Sequence, residues 1–251
     1  MADNNKDSSL ETDANQTDSG YVCPIPATHD KFEEAHYFLH RMMKEFHEPE
    51  PFRWNLNAFL QALRSVTLML QTELTHHEGF TDWYSPWQKQ MKQDELLQRF
   101  LEGRNTVVHK GMLLHKSRII TGHFRGKVIK WAFDIPFNVN ERSEDILHFI
   151  IEEWTDLFFI DKEHSAINEQ FGVYRTWIVD DLGEGDEDVL ILCHRAWSRV
   201  SQIVSAAHEF AGAGFNSISE EPGEHDPEKV NLLLESDIDP TLPVKWGWYE
   251  P

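Results

Sequence analysis

The chain has 251 residues and a formal net charge of −20, with 43 Asp and Glu against 23 Lys and Arg. Its hydrophobic content of 40%, with 16 Phe and 9 Trp, is sufficient for a packed core and for one large or two small domains. No apolar run approaches the roughly 20 residues that span a bilayer, and the first residues lack the order of a signal peptide. These features predict a cytoplasmic protein without a membrane partner.

The first half of the chain predicts three helical regions. Apolar residues at helical spacing indicate a helix over about 31–47, with Asp30 as its N-cap, and a second helix over about 52–77. A third helical region is expected to begin at Pro86, because proline fits the first turn of a helix, and to continue to Gly103.

The second half mixes strand and helix patterns. Two segments rich in Ile, Val, Trp and Phe flank a Gly-containing turn, which indicates a β-hairpin. Later segments show a helical pattern, a short strand pattern and a long helical pattern. The predicted elements are the hairpin strands Ser117–Phe124 and Lys127–Phe137, a helix opened by Ser143, a strand over Val173–Val179, and a last helix from a cap at Asp186 to about Ala211.

Together these elements predict a mainly α fold. A four-helix bundle is interrupted by an α/β insertion, which consists of a β-hairpin, a helix and a strand and precedes the last long helix. The expected organisation is a disordered N-terminal tail over residues 1–28, the bundle over 29–115 with 186–212, the insertion over 116–185, and an acidic, loosely structured tail over 213–251.

A short cluster near the middle of the chain combines the residue types that RNA cleavage needs. Arg104 and Asn105 are followed by His109, in an R-x4-H arrangement at the end of a helical stretch. The paired N–H donors of an arginine guanidinium match two oxygens of a phosphate, and histidine exchanges protons near neutral pH. These groups are sufficient for a 2′-hydroxyl to attack its own phosphate without a metal ion, while the cation stabilises the anionic transition state.

The residues around this cluster form a basic island in an acidic chain. Residues 117–136 carry four Lys or Arg and one Asp. Either this island is an RNA-facing patch, or it is a charge-balanced surface hairpin. The cations predicted to contact RNA are Lys110, Lys116, Arg118, Arg125 and Lys127.

The motif and the helices before it resemble the HEPN superfamily of helical RNases and RNA-associated domains. The resemblance rests on Arg104, Asn105 and His109 and on the helical pattern from Phe52 to Leu60, within residues 29–115 and 186–212. It implies a metal-independent endoribonuclease, commonly a homodimer, with a toxin–antitoxin or anti-phage defence role. It also implies that Arg104 binds the scissile phosphate, that Asn105 orients the phosphate or the histidine, and that His109 is the acid and base.

Several alternatives stay open. On a regular helix Arg104 and His109 are about 140° apart. The reach of a long arginine side chain, a helix break at Gly103, or a second copy of the motif in a dimer would each bring them together, and we favour the dimer. The rival interpretation is a catalytically inactive protein that uses the same bundle for binding or assembly, with an antitoxin or regulatory protein as a possible partner. No metal or cofactor is expected. Cys23 and Cys193 are far apart in the sequence, and the pair His36 and His40 lacks the carboxylate of an H-E-x-x-H site.

Overall fold

The computed structural model describes residues 22–111, 113, 115–154, 166–183, 185–213 and 230–248. Within these ranges the chain has eight helices and four strands, so it is mainly helical with a small antiparallel sheet. At this level the predicted class, a mainly α protein with inserted β elements, is confirmed. The predicted disordered tail lies outside the described residues except for residues 22–28.

Four helices make up the first half of the chain. Proline lies in the first turn of the first two helices. An N–H group there has no hydrogen-bond acceptor within the helix, so a proline at this position removes no helical hydrogen bond. The Asp94 side chain caps the fourth by accepting a hydrogen bond from Leu97 N, 3.1 Å away. The helices are α1 (Pro26–Lys44), α2 (Pro49–Leu74), α3 (Phe80–Gln93) and α4 (Glu95–Lys110).

The first helix begins earlier than its sequence pattern indicates. Asp30, the predicted N-cap, lies inside α1, and the end of the predicted disordered tail belongs to the helix. The reason is a contact from another helix, because the Glu73 carboxylate of α2 accepts hydrogen bonds from Ala27 N and Thr28 N, both at 2.8 Å. Glu73 is 45 residues from Thr28 in the sequence, so the residues around the start of α1 carry no pattern that predicts this cap.

The predicted third helical region is two helices. Pro86 lies inside α3 on an exposed position, while Phe80 and Tyr84 bury their rings against the end of the bundle. Gly103 does not break α4. A Cβ at Gly103 would lie 2.5 Å from Leu182 Cδ2, so the glycine allows a close approach between α4 and a later loop.

The second half of the chain contains the sheet and the closing helix. The predicted hairpin, insertion helix, strand and last helix are all present. They are β1 (Lys116–Arg125), β2 (Val128–Phe133), α5 (Ser143–Trp154), β3 (Glu169–Ile178) and α6 (Val189–Phe210), followed by β4 (Leu232–Leu234), α7 (Glu235–Ile238) and α8 (Leu242–Lys245). Neighbouring strands are antiparallel in the order β2-β1-β3-β4.

Two details of this half differ from the prediction. Asp188, and not Asp186, caps α6, and it accepts a hydrogen bond from Leu190 N at 2.8 Å. The expectation of a loosely structured tail is wrong for residues 230–248, because Leu232–Leu234 pair with β3 as an added strand and Trp248 is buried. Three consecutive leucines form the fourth strand of the sheet there.

One core joins the bundle to the sheet. Buried side chains of α1, α2, α4 and α6 pack together, and Trp177 of β3 lies among them. The Trp177 indole donates a hydrogen bond to Phe46 O at 2.8 Å and stacks on Phe52 with a centroid distance of 4.9 Å. A second core fills the space between α5 and the sheet, around Phe171 and Ile150. None of the helices in the described ranges is both long and apolar enough to cross a membrane.

Candidate functional site

All three predicted catalytic residues lie on α4. Arg104 is half-buried, and Asn105 and His109 are exposed. The Arg104 guanidinium donates a hydrogen bond from Nη1 to Asn105 Oδ1 at 3.2 Å. Its Nε is buried and has no acceptor among the described residues. The motif therefore keeps one unused donor next to the surface.

Within one chain the structure does not bring the arginine and the histidine to one side. α4 is continuous from Glu95 to Lys110, so the helix break considered at Gly103 is absent. Five residues of regular helix separate Arg104 from His109, which corresponds to about 140° around the axis. With the helix break absent, the reach of the long Arg104 side chain and a second copy of the chain are the remaining ways for the two groups to face a common phosphate.

The predicted RNA-binding cations are largely matched by nearby carboxylates. Lys110 and Lys127 are exposed. The other three form exposed ion pairs with acidic residues from later segments, which lowers the positive potential of this surface. These pairs are Lys116 with Asp180, Arg118 with Asp186, and Arg125 with Glu169. This arrangement favours the charge-balanced hairpin among the two interpretations of the basic island.

A second cluster, which the sequence did not predict, lies where α1 begins and α6 ends. Cys23 Sγ is 3.4 Å from His208 Nε2 and 3.8 Å from His29 Nδ1. All three potential ligand atoms lie within 4.8 Å of one another. We refer to Cys23, His29 and His208 as the Cys-His-His cluster.

Both imidazole rings of the cluster are oriented through their other nitrogen. His208 Nδ1 lies 2.9 Å from Val204 O, and because a carbonyl only accepts, the Nδ1–H donates and the Nε2 lone pair faces Cys23. His29 Nε2 lies 3.5 Å from the Glu33 carboxylate, so its Nδ1 faces the same sulfur. A carbonyl or carboxylate on the far nitrogen is the usual support of a histidine that binds a metal.

The two sulfur–nitrogen separations are close to those between ligands of a tetrahedral ion. With a Zn–S bond of about 2.3 Å and Zn–N bonds of about 2.0–2.1 Å, tetrahedral geometry places the sulfur about 3.6 Å from each nitrogen. The observed values of 3.4 and 3.8 Å lie on either side of this distance. Side-chain movements of about 0.2 Å would bring both sulfur–nitrogen distances to this value.

The surrounding fold holds the cluster in place. Glu73 fixes the first turn of α1, which carries His29, and the buried Ile25 anchors the segment that carries Cys23. His208 is fully buried in the last turn of α6, and burial lowers its pKa below the ordinary value of 6.5. The imidazole is therefore neutral near pH 7, as a metal ligand must be.

No spacing rule in the sequence joins these residues. Cys23 and His208 are 185 residues apart in the chain, and metal motifs are recognised by short spacings such as C-x2-C or H-x3-H. The local part, Cys23 followed by His29 six residues later, is too common a pattern to indicate a site. Only the packing of α1 against α6 brings the three together.

Comparisons with known proteins match the chain to one protein family. The family model described as bacteriophage lambda protein ea47 matches residues 16–232. The curated "Protein ea47" of Escherichia phage lambda is 31% identical over an alignment of 125 residues, which covers 46% of this chain and 28% of that protein. The chain thus aligns with less than a third of the length of this curated relative. No solved structure matches the chain.

These matches correct the family assigned from the sequence. The predicted membership of the HEPN superfamily is wrong, because the family match extends over both the helical bundle and the sheet and belongs to the ea47 proteins. An R-x4-H spacing on an amphipathic helix was the main support for that assignment, and six residues of this composition occur on many exposed helix ends.

Proposed function

We propose, from the premise that the chain belongs to the family of bacteriophage lambda protein ea47, that it is a zinc-binding protein. The ion is held by Cys23 Sγ, His29 Nδ1 and His208 Nε2. One observation carries the proposal. The Cys23 sulfur lies at tetrahedral ligand separations from two imidazole nitrogens, and both of these nitrogens face the sulfur.

The ligand set selects the class of metal. One sulfur and two imidazole nitrogens suit Zn²⁺ and other borderline or soft ions, whereas Mg²⁺ and Ca²⁺ prefer oxygen ligands. Zinc binding removes the thiol proton of Cys23, which points toward His208 Nε2 in the metal-free arrangement. The resulting thiolate neutralises one of the two positive charges of the ion.

The position of the cluster indicates a structural role. The ion ties the segment before α1 to the last turn of α6, so it closes one end of the helical bundle. Cys23 packs against an apolar cluster that includes Leu74, Ile203 and Ala207. Three protein ligands leave a fourth position for water, and because His208 is fully buried, the ion has limited access to a substrate.

Metal titration of tag-free protein tests the proposal. After treatment with a chelator, zinc is added in competition with a chromophoric chelator, and the stoichiometry is measured for wild type, Cys23→Ser and His208→Gln. We expect one tightly bound ion per wild-type chain and its loss in both variants. The matched controls are Cys193→Ala, which changes the buried second cysteine, and His76→Gln, which changes an exposed histidine.

The stability of the same proteins gives an independent measurement. At zinc concentrations of about 100 times the dissociation constant, binding to the folded state alone adds about 2.7 kcal/mol to the free energy of unfolding. Wild type and both controls should gain this stability, and Cys23→Ser should not. Equal zinc binding by Cys23→Ser and wild type, or none by wild type, would show that the cluster is not a metal site.

Metal-independent RNA cleavage at Arg104 and His109 is a second candidate function. Two observations favour it: His109 is exposed at the end of α4, and the buried Arg104 Nε–H has no acceptor among the described residues. Because the two residues diverge on one chain, we favour a homodimer for this function, in which one copy supplies the arginine and the other the histidine. Its alternative is a catalytically inactive binding protein.

An RNA digestion in the presence of a chelator distinguishes the nuclease from the catalytically inactive binding protein. We expect His109→Ala and Arg104→Lys to lose cleavage, because the first removes the proton carrier and the second the two-pronged phosphate contact. His76→Ala should cleave like wild type. If wild-type protein leaves RNA intact, or if His109→Ala cleaves as well as wild type, the nuclease proposal is wrong.

A further inference from the structure

Helix α2 carries two stripes of side chains with the same spacing. The first repeats at alternating intervals of four and three residues and is buried in the helical bundle. It consists of Phe52, Leu56, Phe59, Leu63, Val66 and Leu70. The second repeats at the same intervals two positions further along, which places it about 200° around the helix axis, on the outer side. We refer to this second stripe as the outer seam, and it consists of Trp54, Ala58, Gln61, Ser65, Leu68 and Thr72.

The outer seam is open to solvent and uncharged. Trp54 is 58% exposed and Leu68 is 40% exposed. Gln61 and Thr72 are exposed as well. Charged residues make up 26% of the chain, yet none lies in the seam. A helix face that contacts only water usually carries charged residues, whereas apolar groups exposed along one stripe are typical of a face that another protein surface covers.

The polar side chains of the outer seam are already hydrogen-bonded within their own helix. The Ser65 hydroxyl donates to Gln61 O at 2.8 Å. The Thr72 hydroxyl donates to Leu68 O at 3.0 Å. Burying a donor that has no acceptor is unfavourable, but both of these hydroxyls have their acceptor in the preceding turn. Covering the seam therefore leaves neither hydroxyl donor unsatisfied.

The order of side chains along the outer seam is complementary to its own reverse. In an antiparallel pair of seams, related by a two-fold axis midway between Gln61 and Ser65, every larger side chain lies opposite a smaller one. The pairs are Trp54 with Thr72, Leu68 with Ala58, and Gln61 with Ser65. A parallel pair would instead place each residue opposite itself, with Trp54 against Trp54 and a gap at Ala58. Alternation of large and small groups is what close packing between two helices requires.

We infer that the outer seam binds a second copy of the chain in this antiparallel, two-fold arrangement. Two chains that each carry a net charge of −20 repel one another, so an uncharged face is where two copies can approach. The seam is about 27 Å long at 1.5 Å per residue, which corresponds to a small interface and to a dimer that dissociates on dilution. It shares no residue with the Cys-His-His cluster or with the R-x4-H motif.

Sedimentation velocity of the full chain at a series of concentrations tests this inference. Wild type is compared with Leu68→Lys and with Ile129→Lys. The second variant is a matched control, because Ile129 is 39% exposed, lies on β2 and receives the same charge. We expect Leu68→Lys to raise the dimer dissociation constant by at least about tenfold, since it covers a charge that has no partner. Ile129→Lys should dimerise like wild type.

Three results would overturn the inference. They are a wild type that stays monomeric at every concentration, equal dissociation constants for wild type and Leu68→Lys, and equal weakening by Leu68→Lys and Ile129→Lys. Trp54→Ser is a second seam variant, which removes the largest side chain from another exposed position and should also weaken the dimer. A folding defect in one variant, visible by circular dichroism, therefore does not decide the test.

A double variant tests the antiparallel register. Ala58→Glu alone should weaken the dimer, as Leu68→Lys does. Combined in one chain, the two substitutions place each lysine opposite a glutamate of the other copy, so the double variant should dimerise more tightly than either single variant. A parallel pair would place like charges together, and a double variant weaker than both single variants would contradict the proposed arrangement.

The salt dependence gives an independent measurement. Because salt screens the repulsion between two acidic chains, raising the salt concentration should strengthen the wild-type dimer. A dimer that salt weakens would be held by ion pairs and not by the uncharged seam, which would contradict the inference.

Discussion

Replacing His47 with glutamine should remove a large part of the acid sensitivity of the fold. His47 Nε2 donates a hydrogen bond to Val230 O at 2.7 Å, and its Nδ1 accepts one from the Ser143 hydroxyl at 2.9 Å. Both nitrogens are thus satisfied by a neutral ring. Burial lowers the pKa of His47 from its ordinary 6.5 to about 4, and the nearby Arg175 adds to this effect.

The size and sign of the effect follow from this pKa. A tenfold change in proton affinity is worth about 1.4 kcal/mol, so the difference between 6.5 and about 4 corresponds to about 3 kcal/mol. Because the folded pKa is below the unfolded one, the unfolded chain takes up the proton first as the pH falls. The contribution of the neutral His47 ring to the free energy of unfolding is fully present above pH 6.5 and is lost between pH 6.5 and about 4.

Urea unfolding of wild type and His47→Gln between pH 4 and pH 7.5 measures this effect. Glutamine retains one donor and one acceptor but does not titrate in this range. We expect the free energy of unfolding of wild type to fall by about 3 kcal/mol more than that of the variant across the window. Parallel pH dependences in the two proteins would refute the assignment of a neutral, buried imidazole.

The remaining predictions concern a buried carboxyl group and a glycine. Burial raises the pKa of Asp188 to about 6, so its contribution to stability is present below pH 3.8 and is lost as the pH rises to about 6. From pH 4 to pH 7, Asp188→Asn should therefore gain about 2 kcal/mol relative to wild type in urea unfolding, and a constant difference would contradict this. Gly122→Ala places a Cβ about 2.0 Å from Trp131 O and should lower the free energy of unfolding by about 2 kcal/mol or more, visible as a Tm lower by at least about 4 °C; an unchanged Tm would contradict the packing of β1 on β2.

The elements that could be predicted are those whose pattern is local. Apolar residues at helical spacing fixed α2 and α6 to within a few residues, because their buried faces are wide and continuous. The hairpin of β1 and β2 was signalled by β-branched and aromatic residues around Gly126. In each case the residues that determine the element are neighbours in the sequence.

Contacts between distant segments explain most of the errors. The start of α1 depends on Glu73 in α2, and the strand Leu232–Leu234 depends on an open edge of β3. Neither partner can be identified from the segment itself. The prediction placed the start of the helix at Pro86, because proline usually lies in the first turn of a helix or ends one. In the structure Pro86 lies inside α3 at an exposed position.

The same distinction applies to the candidate sites. The R-x4-H motif is local, so it was found in the sequence, but its residues diverge around a continuous helix. The Cys-His-His cluster is assembled from residues at the start of α1 and the end of α6, which are far apart in the sequence, and no sequence pattern joins them. Likewise, the ion pairs that neutralise the predicted RNA-binding cations join residues between 44 and 68 positions apart, which no local charge count reveals.

X-ray absorption spectroscopy of the zinc-loaded protein tests the central claim most directly, because it reports the atoms bound to the ion. The Cys-His-His cluster predicts one sulfur at about 2.3 Å and two imidazole nitrogens at about 2.0–2.1 Å, with a light atom completing the shell. In Cys23→Ser the sulfur contribution should disappear, and in Cys193→Ala it should remain. A shell of only nitrogen and oxygen in the wild-type protein would contradict the proposed zinc site.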